Sequence, residues 1–203
     1  MKPYNPLDKK NLGKSVAESL LLSEPFLLGE LDGFSGSGIY VIYYTGSFPP
    51  YGRLAAESVP PTDVSSPIYV GKATPSGGRK GVIDPEISAK GRKLFGRLNE
   101  HKKSIQDSGN LDIKDFWCRY LILDDVWIPL GESLLIMNFR PLWNIVVEGF
   151  GNHDPGEGRT KGRLSSWDVL HPGRFDPERF APPKYTQEQI LGRISDYWKP
   201  KNL

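Results

Sequence analysis

The chain has a single cysteine, Cys118, which excludes a disulfide framework and any cysteine-rich zinc site. No stretch approaches the roughly 18 consecutive apolar residues of a membrane span. The opening MKPYNPLDKKNLGK has no apolar segment ahead of a small-residue cleavage site, so a cytoplasmic protein without a secretory signal is expected. Internal repeats are absent, as is a Ser/Gly linker that would cut the chain in two. Net charge is also scarce, with 26 Lys and Arg against 24 Asp and Glu, or +2. What remains is 203 residues that are 38% hydrophobic, 11% aromatic and 25% charged, which suits one globular domain with short appendages. That composition excludes a disordered tail and a coiled coil. The 22 Gly and 18 Pro predict long irregular loops.

The small net charge hides an uneven distribution. Residues 72–103 hold nine basic residues (Lys72, Arg79, Lys80, Lys90, Arg92, Lys93, Arg97, Lys102 and Lys103) against Asp84, Glu86 and Glu100, a local +6. Residues 1–71 count five against seven and residues 104–203 twelve against fourteen, so each flank is −2. A neutral body with one basic segment is the footprint of a protein that touches phosphates, and equally of a solvated charged helix face.

Apolar patterning outlines the elements. Val16, Leu20, Leu21 and Leu22, between Ser15 and Ser23, predict an N-terminal helix followed by a Pro/Gly connection. GIYVIYYT at 38–45 reads as a strand, and IYVG at 68–71 as a second that pairs with it in a long hairpin. The Pro/Ser-rich stretch 46–66 shows no sustained period and reads as an inserted loop. After a basic Gly-rich loop at 72–91, Lys93–Asp107 reads as a helix. Its Leu94, Leu98 and Ile105 lie within about 40° on a 3.6-residue wheel, and Arg97 and His101 run along one edge of that stripe. KDFWCRYLIL at 114–123 is a third strand, Gly131–Asn138 a core helix, and a final helix starts at Thr186 with Gln189 completing a capping box. The expected class is α+β, with a small mixed or antiparallel sheet flanked by helices.

Several residues carry possible chemistry. Glu132 opens a helix whose next turns hold Leu134, Leu135, Ile136 and Met137, implying burial around it, and a buried acid needs a partner or a metal. The alternative is an exposed helix-start Glu at the positive end of the dipole. Tyr40, Ile42 and Tyr44 share one face of their strand while Ile39, Val41 and Tyr43 share the other, so the strand is covered on both sides. A covered hydroxyl, on Tyr40 or on Tyr69, needs a hydrogen-bond partner; core structure is the plain reading of both. His153 and His171 lie in Gly/Pro-rich loops without metal-ligand spacing, and Cys118 reads as a small buried side chain.

Taken in order, Gly38-Ile39-Tyr40, then Tyr69-Val70-Gly71 with Lys72, then Arg97 and His101 as Arg-x3-His on a helix, Glu132 on a later helix and Asn144 just beyond it resemble the GIY-YIG nuclease superfamily. The 29-residue step from Tyr40 to Tyr69 is longer than usual there, because of the 46–66 insertion, and YVG stands where YIG is the namesake. RPLWNIVVEGFGNHDPGEGR (140–159) and SSWDVLHPGR (165–174) resemble the segments that follow the catalytic core in the type II restriction endonuclease branch with SacII-type (CCGCGG) specificity. The resemblance covers roughly residues 35–175. It divides the chain into an N-terminal helical appendage (1–34), a nuclease core (35–148) carrying the 46–66 insertion, and a C-terminal extension (149–203) of loops and a final helix.

The resemblance implies in-line hydrolysis of a phosphodiester with one Mg²⁺ or Mn²⁺, and Glu132 as the sole protein ligand. Tyr40 would serve the attacking water as general base or relay, with Lys72 and Arg97 supplying the positive charge to lower its pKa. His101 would share the base role, and which of the two is the base stays open. Tyr69 would bind the scissile phosphate or the water, Arg97 would clamp phosphate oxygens, and Asn144 would orient a catalytic group or phosphate. In the loop at 149–163, Asn152, Arg159, Lys161 and Arg163 are candidate DNA contacts, since Arg pairs well with guanine edges. The implied partners are double-stranded DNA, a second copy in a homodimer matching a palindrome, and a cognate DNA methyltransferase, in a bacterial cytoplasm. A GIY-YIG homing or repair-type nuclease that nicks structured DNA is the alternative within the superfamily; no separate DNA-binding domain of that kind is visible. A catalytically inactive DNA-binding module is the alternative outside enzymes, although Tyr40, Arg97, Glu132 and Asn144 are all present.

Overall fold

The computed structural model describes residues 8–59, 63–75, 91–152 and 162–199. In chain order they form α1 (Lys9–Leu21), β1 (Phe26–Leu27), β2 (Gly38–Tyr44), α2 (Gly52–Ala56), β3 (Ser58–Val59), β4 (Asp63–Val64), β5 (Tyr69–Ala73), α3 (Lys93–Gln106), β6 (Phe116–Ile122), α4 (Ile128–Phe139), α5 (Leu142–Ile145), α6 (Ser166–Leu170) and α7 (Gln187–Trp198). The fold is α+β. Its main sheet is antiparallel, in the order β1-β6-β2-β5, and β3 and β4 form a separate small hairpin.

β2 is the inner strand that organises the rest, and all seven of its residues are buried. Its two faces feed two different cores, as the alternation of side chains requires. Tyr40, Ile42 and Tyr44 pack with Leu94, Leu98 and Ile105 of α3 and with aromatic residues from the C-terminal third of the chain. Ile39, Val41 and Tyr43 pack with Ala17 and Leu20 of α1 and Ile128 and Leu135 of α4. The sheet is thus sandwiched between helices on both sides. Leu54 of the insertion and Ile190 and Ile194 of α7 join the first core, so insertion and final helix pack into the same apolar cluster as the sheet.

Several expectations are corrected by this arrangement. The 46–66 segment is not a bare loop; it contains α2 and the β3–β4 hairpin. The N-terminal segment is not only a helix with a connection, because β1 pairs with β6 (Phe26 opposite Cys118) and adds an edge to the sheet. Leu22 is 86% exposed and takes no part in the helix's apolar face. α4 starts a turn earlier than Gly131, since Pro129 lies in the first turn, where its missing N–H costs nothing. Met137 is 60% exposed, so the apolar run after Glu132 is only partly core. The capping box at Thr186 and Gln189 forms with both reciprocal bonds. Among the described residues no helix is long and apolar enough to cross a membrane.

Candidate active site

Tyr40 and Tyr69 meet through strand register. Tyr69 begins β5 opposite Ile42, and Gly71 lies opposite Tyr40. A Cβ on Gly71 would fall 2.3 Å from the Tyr40 hydroxyl, so the glycine of the YVG motif leaves the space that the Tyr40 ring occupies. From above this face α3 supplies Arg97 and His101. His101 is two helical turns from Leu94 and lies inside the apolar stripe, 1% exposed, rather than on its edge; Arg97 keeps the edge. The Tyr40 hydroxyl lies 2.6 Å from His101 Nε2. Phe150 stacks on the His101 ring at 4.4 Å and meets Tyr69 edge-on at 5.0 Å, closing the cluster.

Arg97 is the charged centre of this group. It hydrogen-bonds Tyr40 and Tyr69, pairs with Glu100 at 2.8 Å and donates to the Gly151 carbonyl at 2.5 Å. Burial still governs the tyrosines. Tyr40 is pushed well above its ordinary pKa by desolvation, then by the neighbouring Tyr69, and the Arg97 charge and hydrogen bond only partly offset this. Tyr69 is raised for the same first reason, with Arg97 opposing it and Glu132 adding to it. The positive charge expected to make Tyr40 a ready phenolate is therefore outweighed, and Tyr40 keeps its proton. Lys72 is engaged by Glu132 instead: its Nζ pairs with Glu132 Oε2 at 2.7 Å.

Lys72 and Val70 alternate with Tyr69 and Gly71 along β5, so the Lys72–Glu132 pair lies on the opposite face of the sheet from His101. The two halves meet at β5, the outer strand, and the Glu132 charge reaches both Tyr40 and Tyr69. Asn144 secures that strand. Its Oδ1 accepts from the Val70 N–H at 2.8 Å and its Nδ2 donates to the Val70 carbonyl at 2.9 Å. With Trp143 N–H bonded to the Ile68 carbonyl, α5 covers the free edge of β5. Asn144 thus holds backbone next to Tyr69.

The family can now be placed. A family model for the Eco29kI GIY-YIG domain matches residues 32–198. The chain belongs to this family. It is a GIY-YIG nuclease of the restriction type, and its Eco29kI-type domain takes in β2, β5 and β6 of the sheet, the insertion and α7, with β1 ahead of it. No curated protein matches the chain.

Nucleases of the GIY-YIG kind use divalent metals, and the donor chemistry here suits one. Glu132, with 19% of its side chain exposed, offers a hard carboxylate at the edge where the two halves meet. Among the described residues there is no group of three or more His, Cys, Asp or Glu side chains that could form an all-protein cage. One carboxylate fits Mg²⁺ or Mn²⁺ that retains most of its waters.

The remaining sequence candidates are dispersed. Asn152 lines a 220 Å³ cleft with Arg97, His101, Ser104 and Arg174, while Arg163 is exposed and bridges to Ala181. Arg159, Lys161 and His153 lie outside the described residues. His171 lies just past α6, outside any helix or strand, and is fully buried between the Tyr51 hydroxyl and Asn110. Cys118 is buried as expected, and burial pushes its thiol up to about 12. Phe150, Gly151, Asp168 and Arg174 were missed as individual residues, although they lie in the two segments that carried the closer resemblance.

Proposed function

We propose that this nuclease is a type II restriction endonuclease that cuts double-stranded DNA at a short palindrome, CCGCGG, as a homodimer, with a cognate methyltransferase protecting the host site in a bacterial cytoplasm. The observation that carries the reading is the buried Tyr40–His101 hydrogen bond beside Arg97 and Tyr69, with the charge of Glu132 reaching both tyrosines from the other side of β5.

In this mechanism the scissile phosphate lies against Tyr69 and Arg97, whose guanidinium stabilises the negative charge that builds up on the phosphorus oxygens. A water held by the Tyr40 hydroxyl attacks phosphorus in line with the leaving oxygen. Tyr40 is protonated, so it relays: it takes the water's proton as its own passes to His101 Nε2 over 2.6 Å. The P–O bond to the leaving oxygen breaks and that oxygen is protonated from solvent. Glu132 would hold the divalent cation, which when bound supplies Lewis-acid stabilisation of the transition-state charge. Lys72 balances the Glu132 carboxylate, and Asn144 keeps β5, and so Tyr69, in place. Asn152 and Arg163 are the described candidates for DNA contact, and guanine-rich sites suit an exposed Arg.

Incubating the protein with several plasmid and phage DNAs in Mg²⁺ tests this. Discrete fragments with ends at CCGCGG are expected. Discrete fragments ending elsewhere overturn the recognition sequence alone, nicks at structured DNA favour a homing or repair role, and binding without cutting an inactive module. Glu132→Ala should abolish cleavage while leaving DNA affinity in Ca²⁺ within about threefold; full activity in that variant removes Glu132 from the metal site.

A further inference from the structure

Arg174 spends its guanidinium on one turn of backbone. Nη1 donates to the Phe150 carbonyl at 2.9 Å and, more weakly, to the Asn152 carbonyl at 3.4 Å, while Nη2 donates to the Gly149 carbonyl at 3.1 Å. A further bond runs from Nη1 to Ser104 Oγ on α3 at 3.2 Å. Asp168 orients the group, with Oδ1 2.9 Å from Nε and 2.8 Å from Nη2; the two side chains are 4% and 7% exposed. Trp167 and Phe175 flank the guanidinium at 4.5 Å each. Ser165 Oγ in turn bonds Asp168, so the carboxylate is itself fixed.

The turn so held is the outer wall of the active site. Three of its four carbonyls go to Arg174, and the fourth, that of Gly151, goes to Arg97. Its Phe150 ring stacks on His101. Neither glycine has room to spare. Gly149 has φ +112° and a Cβ there would strike Ser165, while a Cβ on Gly151 would lie 2.6 Å from the Tyr69 hydroxyl and 3.3 Å from Arg97 Nη2.

We propose that Arg174, oriented by Asp168, is a positioning residue of this active site: it fixes the turn 149–152, and the Gly151 carbonyl of that turn aims the Arg97 guanidinium at Tyr40, Tyr69 and the phosphate. Lysine cannot replace it, since one ammonium cannot span carbonyls on both sides of the turn while facing Asp168. The inference rests on the nuclease reading of the site for its kinetic test and has a second readout that does not.

Arg174→Lys should slow single-turnover cleavage about 100-fold with DNA affinity in Ca²⁺ little changed, the cost expected of a small misplacement of a catalytic group. Because Arg174 acts through Arg97, that loss should shrink to within about twofold in an Arg97→Gln background. An equal loss in both backgrounds overturns the proposal, since damage to the fold in general would not be cancelled by removing Arg97. Asp168→Asn, which removes the charge that orients Arg174, carries the same pair of measurements if Arg174→Lys does not fold. The Arg97 side-chain N–H resonances should be sharp in the unaltered protein and exchange-broadened in Arg174→Lys or Asp168→Asn; unchanged resonances overturn the proposal. If the unaltered protein cuts no DNA, the functional reading fails, and the resonances alone decide the positioning role.

Discussion

Two tyrosine–histidine pairs in this protein make the same hydrogen bond. The Tyr40 hydroxyl lies 2.6 Å from His101 Nε2 and the Tyr51 hydroxyl 2.6 Å from His171 Nε2, and all four side chains are buried. Their surroundings differ. Tyr40 feels Arg97, Tyr69 and Glu132, and His101 borders an open cleft. Tyr51 and His171 are ringed by Phe48, Trp143 and Trp167. On that side Asn110 Oδ1 can only accept, so His171 Nδ1 carries the proton and Nε2 accepts from Tyr51; Asn110 Nδ2 is occupied by the Leu170 carbonyl. The second pair is thus a closed structural link between insertion, the loop after α3 and α6. A buried Tyr–His bond does not make a site; charge within reach and an opening to substrate do.

The largest expected difference between the pairs is catalytic. Tyr40→Phe and His101→Ala should each cut the cleavage rate about 10³-fold, the usual range for a lost proton-transfer group, while Tyr51→Phe leaves it within about threefold. A Tyr51 variant as slow as the Tyr40 variant would erase the distinction. Next in size is Gly71→Ala, which forces the Tyr40 ring from its place across the strand and should slow cleavage about 10²-fold without removing any polar group. Steady-state cleavage with thermal melting measures both.

The sequence showed the first pair better than the second, for a physical reason. Tyr40, Arg97 and His101 lie on elements long enough to have a period, so alternation in β2 set the face of Tyr40 and the wheel of α3 brought Arg97 and His101 to the apolar stripe, although His101 lies inside it and not on its edge. β1, β3, β4 and α6 have two to five residues each and no period to read. Contacts that depend on distant backbone were also hidden. Asn144 reaches Val70 across 74 residues and His171 reaches Tyr51 across 120, and nothing local marks either. The pKa of Tyr40 was misjudged from charge alone because the sequence shows nearby cations but not how completely the ring is withdrawn from water.

The closed pair should respond to acid. Burial holds His171 down to about 3, against the ordinary value of 6.5. Between those values the unfolded chain binds a proton that the folded one does not. Its contribution to stability is therefore complete above pH 6.5 and lost as pH falls toward 3, with a slope of roughly 1.4 kcal/mol per pH unit and none below. Urea midpoints of wild type and His171→Gln at pH 7.5, 6 and 5 should converge as pH falls. A constant gap would mean that the folded protein protonates His171 as readily as the unfolded chain does.

The smallest effect separates the two pairs most cleanly. Tyr51→Phe keeps the ring against Tyr44, Phe48 and Trp143 and removes only the oxygen. His171 Nε2 then has no donor from that side in a space closed to solvent, which should cost about 1–3 kcal/mol of stability. The same change at Tyr40 leaves His101 beside Arg97 and an open cleft, where water can take the vacated position, so its cost in stability should be under about 1 kcal/mol although its cost in rate is far larger. Chemical denaturation of the two variants side by side gives both values. The pair that matters more for folding should matter less for cleavage, because enclosure makes a lost hydrogen bond expensive and also keeps substrate away.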